Sequence, residues 1–111
     1  MAPFDTAAAV RRLGGDQALF QRVVDHAAVF MSGWLQAWER ARAEADSAQA
    51  LRLAHDLKAV AATLGANALS EQATELEGLL RNGGAVEPAM ADLRAALAPV
   101  IVALSGSRSP A

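Results

Sequence analysis

Apolar residues recur every three to four positions along most of the chain, which is the spacing of amphipathic helices. Glycine, asparagine and aspartate interrupt this pattern and divide it into five segments. Asp16 and Asn67 are predicted to cap the second and fourth helices. Trp34 and Trp38 lie one turn apart in the second segment and are interpreted as core residues. The predicted helices cover Asp5–Leu13, Asp16 to about Ala45, about Ala48–Leu64, Asn67 to about Asn82, and Glu87 to about Leu104.

The end of the chain departs from this regular pattern. Pro99 lies inside the fifth segment, where it removes one backbone hydrogen bond and should kink the last turns. Residues 105–111 are polar and are predicted to form a disordered tail, which leaves one domain over residues 1–104. Short connections between amphipathic helices favour antiparallel neighbours. We therefore predict an all-α fold, an antiparallel up-down-up-down four-helix bundle with a short N-terminal helix packed on it.

The composition supports this fold class and excludes several functions. The 111 residues are rich in alanine and leucine, both strong helix formers. The chain has no cysteine and two histidines, which excludes a disulfide framework, a thiolate zinc site and a multi-histidine metal cluster. A net charge of −2 does not suit a nucleic-acid partner. Because we find neither an unbroken apolar run of about 18 residues nor a signal peptide, we expect a cytoplasmic protein without a membrane segment. The even distribution of charged residues favours a monomer.

His55 is the candidate for chemistry. The buried face of the third predicted helix spans about 100°, and His55 lies almost opposite it. Lys58, the only lysine of the chain, is its neighbour on the helix surface. An exposed histidine on a helix is most often incidental. The small residues Ala59 and Ala62 on the same face, together with the single lysine, favour a functional site. The residues that define the buried face are Leu53, Leu57, Val60, Ala61 and Leu64.

The run from His55 to Glu77 resembles histidine-containing phosphotransfer (HPt) domains. It carries their acceptor histidine, leucine at +2 and lysine at +3, a Leu-Gly-Ala turn, a following leucine and a later Leu-Glu pair; these are His55, Leu57, Lys58, Leu64-Gly65-Ala66, Leu69 and Leu76-Glu77. The run from Arg11 to Asp16 resembles the loop before the family's second helix. The resemblance covers roughly residues 5–104. Ala59 stands where the family has a glycine that lets a partner approach closely, and Pro99 is also unusual.

The resemblance implies a phosphocarrier of a bacterial two-component system rather than an enzyme. By this resemblance, His55 accepts a phosphoryl group from the aspartate of a response-regulator receiver domain and returns it to another, and Lys58 stabilises the phosphoryl charge. The expected partners are receiver domains, a hybrid histidine kinase, or both. No cofactor or metal is expected on this chain, and Mg²⁺ would belong to the receiver. The residues expected to border the docking surface are Arg52, Ala59, Ala62, Gln72, Glu75 and Arg81.

Two other functions stay open at this point. If Ala59 prevents productive approach, the bundle is a docking module that binds receivers or a histidine kinase without useful phosphotransfer. Alternatively, the bundle is a structural element and His55 is incidental. A small-molecule enzyme is disfavoured because no carboxylate pair, serine–histidine arrangement or phosphate-binding loop stands out.

Overall fold

The computed structural model describes residues 3–107, and in this part of the chain all regular secondary structure is helical. This confirms the prediction of an all-α fold. The helices are α1 (Thr6–Arg12), α2 (Gln17–Ser32), α3 (Trp34–Ala43), α4 (Ser47–Leu64), α5 (Asn67–Asn82) and α6 (Glu87–Ser107).

The predicted second helix is in fact two helices. Gly33 separates α2 from α3 with φ −101° and ψ −3°, away from regular helical angles. Glycine is a weak helix residue, so the backbone departs from the helix there at little cost. The prediction of one helix to about Ala45 was wrong because the apolar stripe continues across the break, with Met31 and Trp34 both buried.

Aspartate side chains begin three of the helices. Asp5, Asp16 and Asp46 each accept a hydrogen bond from the backbone N–H three residues later, which confirms the predicted cap at Asp16. Asn67 is instead the first residue of α5, and Ala66 occupies the capping position without a side-chain hydrogen bond. The prediction of Asn67 as a cap was wrong because the chain turns from α4 into α5 within two residues.

Five helix–helix interfaces close the bundle around one core. Helices α2 and α3 pack on α4, α4 packs on α5, α5 packs on α6, and α6 returns to α2. Trp34 and Trp38 stack within this core, and the Trp34 indole Nε1 donates to the Leu53 carbonyl at 2.9 Å. Their prediction as core residues is confirmed. The up-down-up-down order of the helices stays a prediction.

The N-terminal segment is fixed on the turn between α4 and α5. The Asp5 N–H donates to the Gly65 carbonyl at 3.0 Å. Gly65 has φ +86°, and a Cβ atom there would lie 2.7 Å from the Asp5 carbonyl oxygen. Only glycine fits both the left-handed angle and this close approach. The first helix, α1, consequently packs against α2 and α4, as predicted for a short N-terminal helix.

Helix α6 is longer than predicted and passes through Pro99. It continues to Ser107, so the first residues of the predicted disordered tail are helical, whereas residues 108–111 lie outside the described part of the chain. The kink expected at Pro99 stays a prediction. The stretch Glu87–Gly106, with mean hydropathy 1.5, is long and apolar enough to cross a membrane. This is a weak indication, because core helices of other proteins pass the same test; here 33% of the window is buried in the bundle, including Leu93 and Leu97.

Candidate functional site

His55 lies in the middle of α4 on the side turned away from the core. Its side chain is 56% exposed, whereas the neighbouring Leu53, Ala54 and Leu57 are buried. The sequence-based placement of this imidazole on an exposed helix face is therefore confirmed. Lys58 lies one turn further along the same helix and is half-buried.

Glu77 of α5 is the centre of a polar cluster beneath His55. Its side chain is only 8% exposed, and it is the one buried charged residue in the described part of the chain. The Oε2 atom lies 2.9 Å from His55 Nδ1 and accepts from Arg81 Nη2 at 3.1 Å. The Oε1 atom accepts from Lys58 Nζ at 2.6 Å. One carboxylate thus connects three basic side chains of two helices.

The turn between α4 and α5 explains why His55 and Glu77 meet. Gly65 and Ala66 join the two helices, and His55 precedes Gly65 by about as many residues as Glu77 follows it. At about 1.5 Å of rise per residue, both side chains reach a similar height in a helical hairpin. Ser70 strengthens this pairing, because its hydroxyl donates to the Lys58 carbonyl across the interface at 3.3 Å.

The cations around Glu77 determine its ionisation. The hydrogen bond from Lys58 is the largest influence, and with those from His55 and Arg81 it outweighs the opposing effect of burial. Together they lower the pKa of Glu77 from 4.5 to about 2. The side chain is therefore a carboxylate at neutral pH and can only accept hydrogen bonds.

The ionisation of Glu77 assigns the proton on the imidazole. Because a carboxylate has no proton to donate, the hydrogen of the bond to His55 must lie on Nδ1. In the neutral ring, the lone pair available for reaction is then on Nε2. The arrangement provides a partly exposed nitrogen nucleophile whose opposite edge is anchored to a buried acid.

Three of the predicted surface residues lie on α4 around His55. Arg52, Ala59 and Ala62 are all exposed. Ala59 lines a groove of about 320 Å³ between α4 and α2. The Ala62 carbonyl accepts from Arg12 Nη1 of α1 at 2.6 Å. The remaining residues that line the groove are Arg22, Val23, His26, Val60 and Thr63.

The predicted residues of α5 divide into two groups. Arg81 joins the cluster through Glu77, but Gln72 and Glu75 lie about 140° and 160° around the helix from Glu77 at about 100° per residue. Glu75 is exposed, and Gln72 is half-buried with its Oε1 atom buried and without a hydrogen-bond partner in the described residues. The structure therefore does not bring these two residues to the cluster.

Glu77 is the residue of the cluster that sequence reasoning left without a role. It belonged to the Leu-Glu pair of the resemblance, but its chemistry was not assigned. The signal was present in the apolar pattern, because Glu77 lies on the same side of α5 as the buried Ala73 and the half-buried Leu80. A buried acid requires a hydrogen-bond or charged partner. His55 lies about as many residues before Gly65 as Glu77 lies after it, which indicates His55 as that partner.

The charges of the cluster do not favour a bound metal ion. No group of three or more histidine, cysteine, aspartate or glutamate side chains in the described residues has the arrangement to hold a metal ion. The only acid at the centre is already surrounded by Lys58 and Arg81, whose charges oppose cation binding.

Comparison with known proteins agrees with this geometry. The family model of the Hpt domain matches residues 17–103, which include His55, Lys58 and Glu77. No match was found among curated proteins or among solved structures. The match covers most of the chain and includes every residue of the polar cluster. The chain belongs to the Hpt domain family.

Proposed function

We propose that His55 carries a phosphoryl group between the aspartates of response-regulator receiver domains. Membership of the Hpt domain family implies phosphotransfer in two-component signalling in general, by a phosphocarrier module rather than an enzyme. The observation that supports His55 as the carrier is the exposed imidazole with Nδ1 held by Glu77 at 2.9 Å. In this proposal the chain acts as a cytoplasmic monomer without a cofactor of its own.

The transfer step uses the lone pair of His55 Nε2. This nitrogen attacks the phosphorus of a receiver's aspartyl phosphate, the bond from phosphorus to the carboxylate oxygen breaks, and the aspartate leaves as a free carboxylate. The ring keeps its proton on Nδ1 and acquires a positive charge as the Nε2–P bond forms. Glu77 stabilises that charge through the same hydrogen bond. Transfer to a second receiver reverses the step and returns the neutral ring.

Lys58 supplies charge for the phosphoryl oxygens. Its ammonium has three donors, of which Glu77 Oε1 takes one at 2.6 Å. The side chain is 33% exposed, so the other donors can face a group on Nε2 while the bond to Glu77 is kept. Phosphoryl transfer depends mainly on such positioning and charge neutralisation, and the Mg²⁺ that it requires would be held by the receiver.

The receiver would dock over the α4 face and the groove beside it. This groove is lined by Ala59 of α4 and by Val23 and His26 of α2, and its volume is about 320 Å³. It combines apolar walls with polar margins, which suits a transient protein contact. Arg52 and Ala62 border the same face of α4.

Ala59 supports a second candidate function. Ala59 lines the groove one helical turn after His55, at the position where the resemblance to the family places a glycine. A partner that binds but cannot bring its aspartate to bonding distance would make the chain a docking module without phosphotransfer.

Transfer from a panel of phosphorylated receiver domains distinguishes the two functions. Wild type should acquire an acid-labile, alkali-stable phosphoryl group, and folded His55→Gln should acquire none. His26→Gln is the matched control with phosphoramidate, a small donor that needs no docking surface: it removes the other histidine, which lines the groove, and should still be labelled. Receivers that bind wild type without any transfer would contradict the carrier and support the docking module.

A further inference from the structure

Arg81 and His55 share a single oxygen atom of Glu77. Arg81 Nη2 donates to Oε2 at 3.1 Å, and His55 Nδ1 lies 2.9 Å from the same atom. The guanidinium and the imidazole nitrogens are therefore no more than about 6 Å apart, within the range in which like charges disfavour each other. Arg81 itself comes from α5, four residues after Glu77, and its side chain is 59% exposed.

This sharing has an electrostatic consequence for the imidazole. A carboxylate opposite a histidine favours the protonated ring, and a protonated ring has no lone pair with which to attack phosphorus. Arg81 opposes that effect in two ways. It occupies part of the accepting capacity of Oε2, and it adds a positive charge near the ring. Lys58 donates to the other carboxylate oxygen of Glu77, Oε1, and its charge also offsets part of the negative charge of Glu77.

We propose that Arg81 is a positioning residue that acts through Glu77: by sharing Oε2 with His55, it limits how strongly the carboxylate favours the protonated imidazole over the neutral, nucleophilic one. This inference rests on the proposed carrier function for its biological meaning, but the charge relationship exists independently of it. Arg81 does not need to touch the phosphoryl group. Because Arg81 is present, Glu77 can accept the hydrogen bond from Nδ1 with less tendency to favour protonation of Nε2.

Other charged groups lie around His55 and stay in place when Arg81 is replaced. Arg52, Asp56 and Lys58 share its helix, Glu77 lies on α5, and the groove towards α2 contains Arg22 and His26. Of these, Lys58 and Glu77 belong to the hydrogen-bonded cluster. Replacement of Arg81 alone therefore isolates its contribution.

The test is an NMR titration of the His55 ring in wild type and three variants. In Arg81→Ala, the titration midpoint should move to higher pH by about half a unit to one unit, a three- to tenfold gain in the protonated-to-neutral ratio at a given pH. Arg81→Lys should stay near wild type because it keeps the charge. Arg94→Ala on α6 loses the same charge away from the site and should also match wild type. Equal midpoints in Arg81→Ala and wild type would overturn the inference.

Phosphorylation by phosphoramidate, a small donor that needs no docking surface, provides the functional readout. Nε2 attacks its phosphorus, the P–N bond breaks, and ammonia leaves. Arg81→Ala should label about threefold more slowly than wild type at pH values below the titration midpoint that NMR measures. Above that midpoint it should match or exceed wild type, because loss of Arg81 also strengthens the stabilisation of the charged, phosphorylated ring by Glu77. An equal loss at every pH would contradict a role through the ring charge. Labelling that persists in His55→Gln would instead contradict the proposed function, whereas the NMR result would still decide the role of Arg81.

Discussion

His55 Nδ1 lies 2.9 Å from Glu77 Oε2, so the exposed imidazole of α4 is anchored to the buried acid of α5. This contact links the fold to the proposed chemistry. The α4–α5 turn places the two residues at similar height, and the cations around Glu77 keep it ionised. Because the ionised acid can only accept, it directs the ring proton to Nδ1 and the reactive lone pair to Nε2.

Replacement of Glu77 should impair phosphorylation more than folding. In Glu77→Ala the ring loses its anchor and the charge that stabilises phosphohistidine. We expect the rate of labelling by phosphoramidate to fall roughly ten- to a hundredfold, the range typical of removing a carboxylate that orients a metal-bound histidine. Glu71→Gln, an exposed site on the same helix, is the control and should match wild type. A Glu77→Ala rate equal to wild type in folded protein would contradict this role.

The lowered pKa of Glu77 predicts a specific loss of stability in acid. The folded-state pKa of about 2 lies below the ordinary 4.5, so the unfolded chain binds the proton first as pH falls. The contribution of Glu77 is therefore fully present above about pH 5 and is lost progressively between about pH 4.5 and 2.

Urea unfolding of wild type and Glu77→Gln at several pH values measures this contribution. Since glutamine does not titrate, the difference in unfolding free energy between the two proteins should shrink by up to about 3 kcal/mol from neutral pH to pH 2. The other acids titrate in both proteins and cancel. A difference that stays constant across this range would show that the Glu77 pKa is not lowered by folding.

Gly65 should tolerate alanine less well than Gly83 does. Both have left-handed angles, φ +86° and +71°, so alanine strains the backbone at either site by about 1–2 kcal/mol. At Gly65 the new Cβ would additionally lie 2.7 Å from the Asp5 carbonyl, whereas at Gly83 nothing lies within 4 Å. We expect Gly65→Ala to lower the unfolding free energy by about 1–3 kcal/mol more than Gly83→Ala, as measured by thermal or urea unfolding. Equal losses would mean that the Asp5 segment does not pack on the turn.

Much of this fold and part of the site follow from the sequence for identifiable reasons. The helical period places His55 opposite the buried face of α4, and Gly65 ends that helix as its pattern indicates. The break at Gly33 was not predictable from the apolar stripe, because burial continues on both sides of it. The partners of Glu77 depend on the height and rotation of α5 against α4, which periodicity within one helix does not determine. For the same reason the sequence alone did not show that Gln72 lies on a different side of α5 from the cluster, and its place at the docking surface stays a prediction.

Replacing Ala59 by glycine should show whether the methyl group limits the approach of receivers to His55 or affects the reaction of the imidazole itself. Ala59→Gly removes the methyl group that faces the α4–α2 groove and should speed transfer from receivers while leaving phosphoramidate labelling unchanged. The same change costs about 1 kcal/mol of helix stability. Ala95→Gly, at an exposed position of α6 away from the site, carries a similar helix cost and is the matched control. Equal receiver rates in wild type and Ala59→Gly would show that the methyl group does not limit approach.

The position of the phosphoryl group on the modified protein tests the central claim most directly. Wild type labelled with ¹⁵N-histidine would be phosphorylated by a receiver, and the ring couplings to phosphorus and protons would be measured by NMR. We predict a single N–P bond at Nε2 of His55, with the proton kept on Nδ1 towards Glu77. A phosphoryl group on Nδ1, on His26 or on a carboxylate would contradict the account.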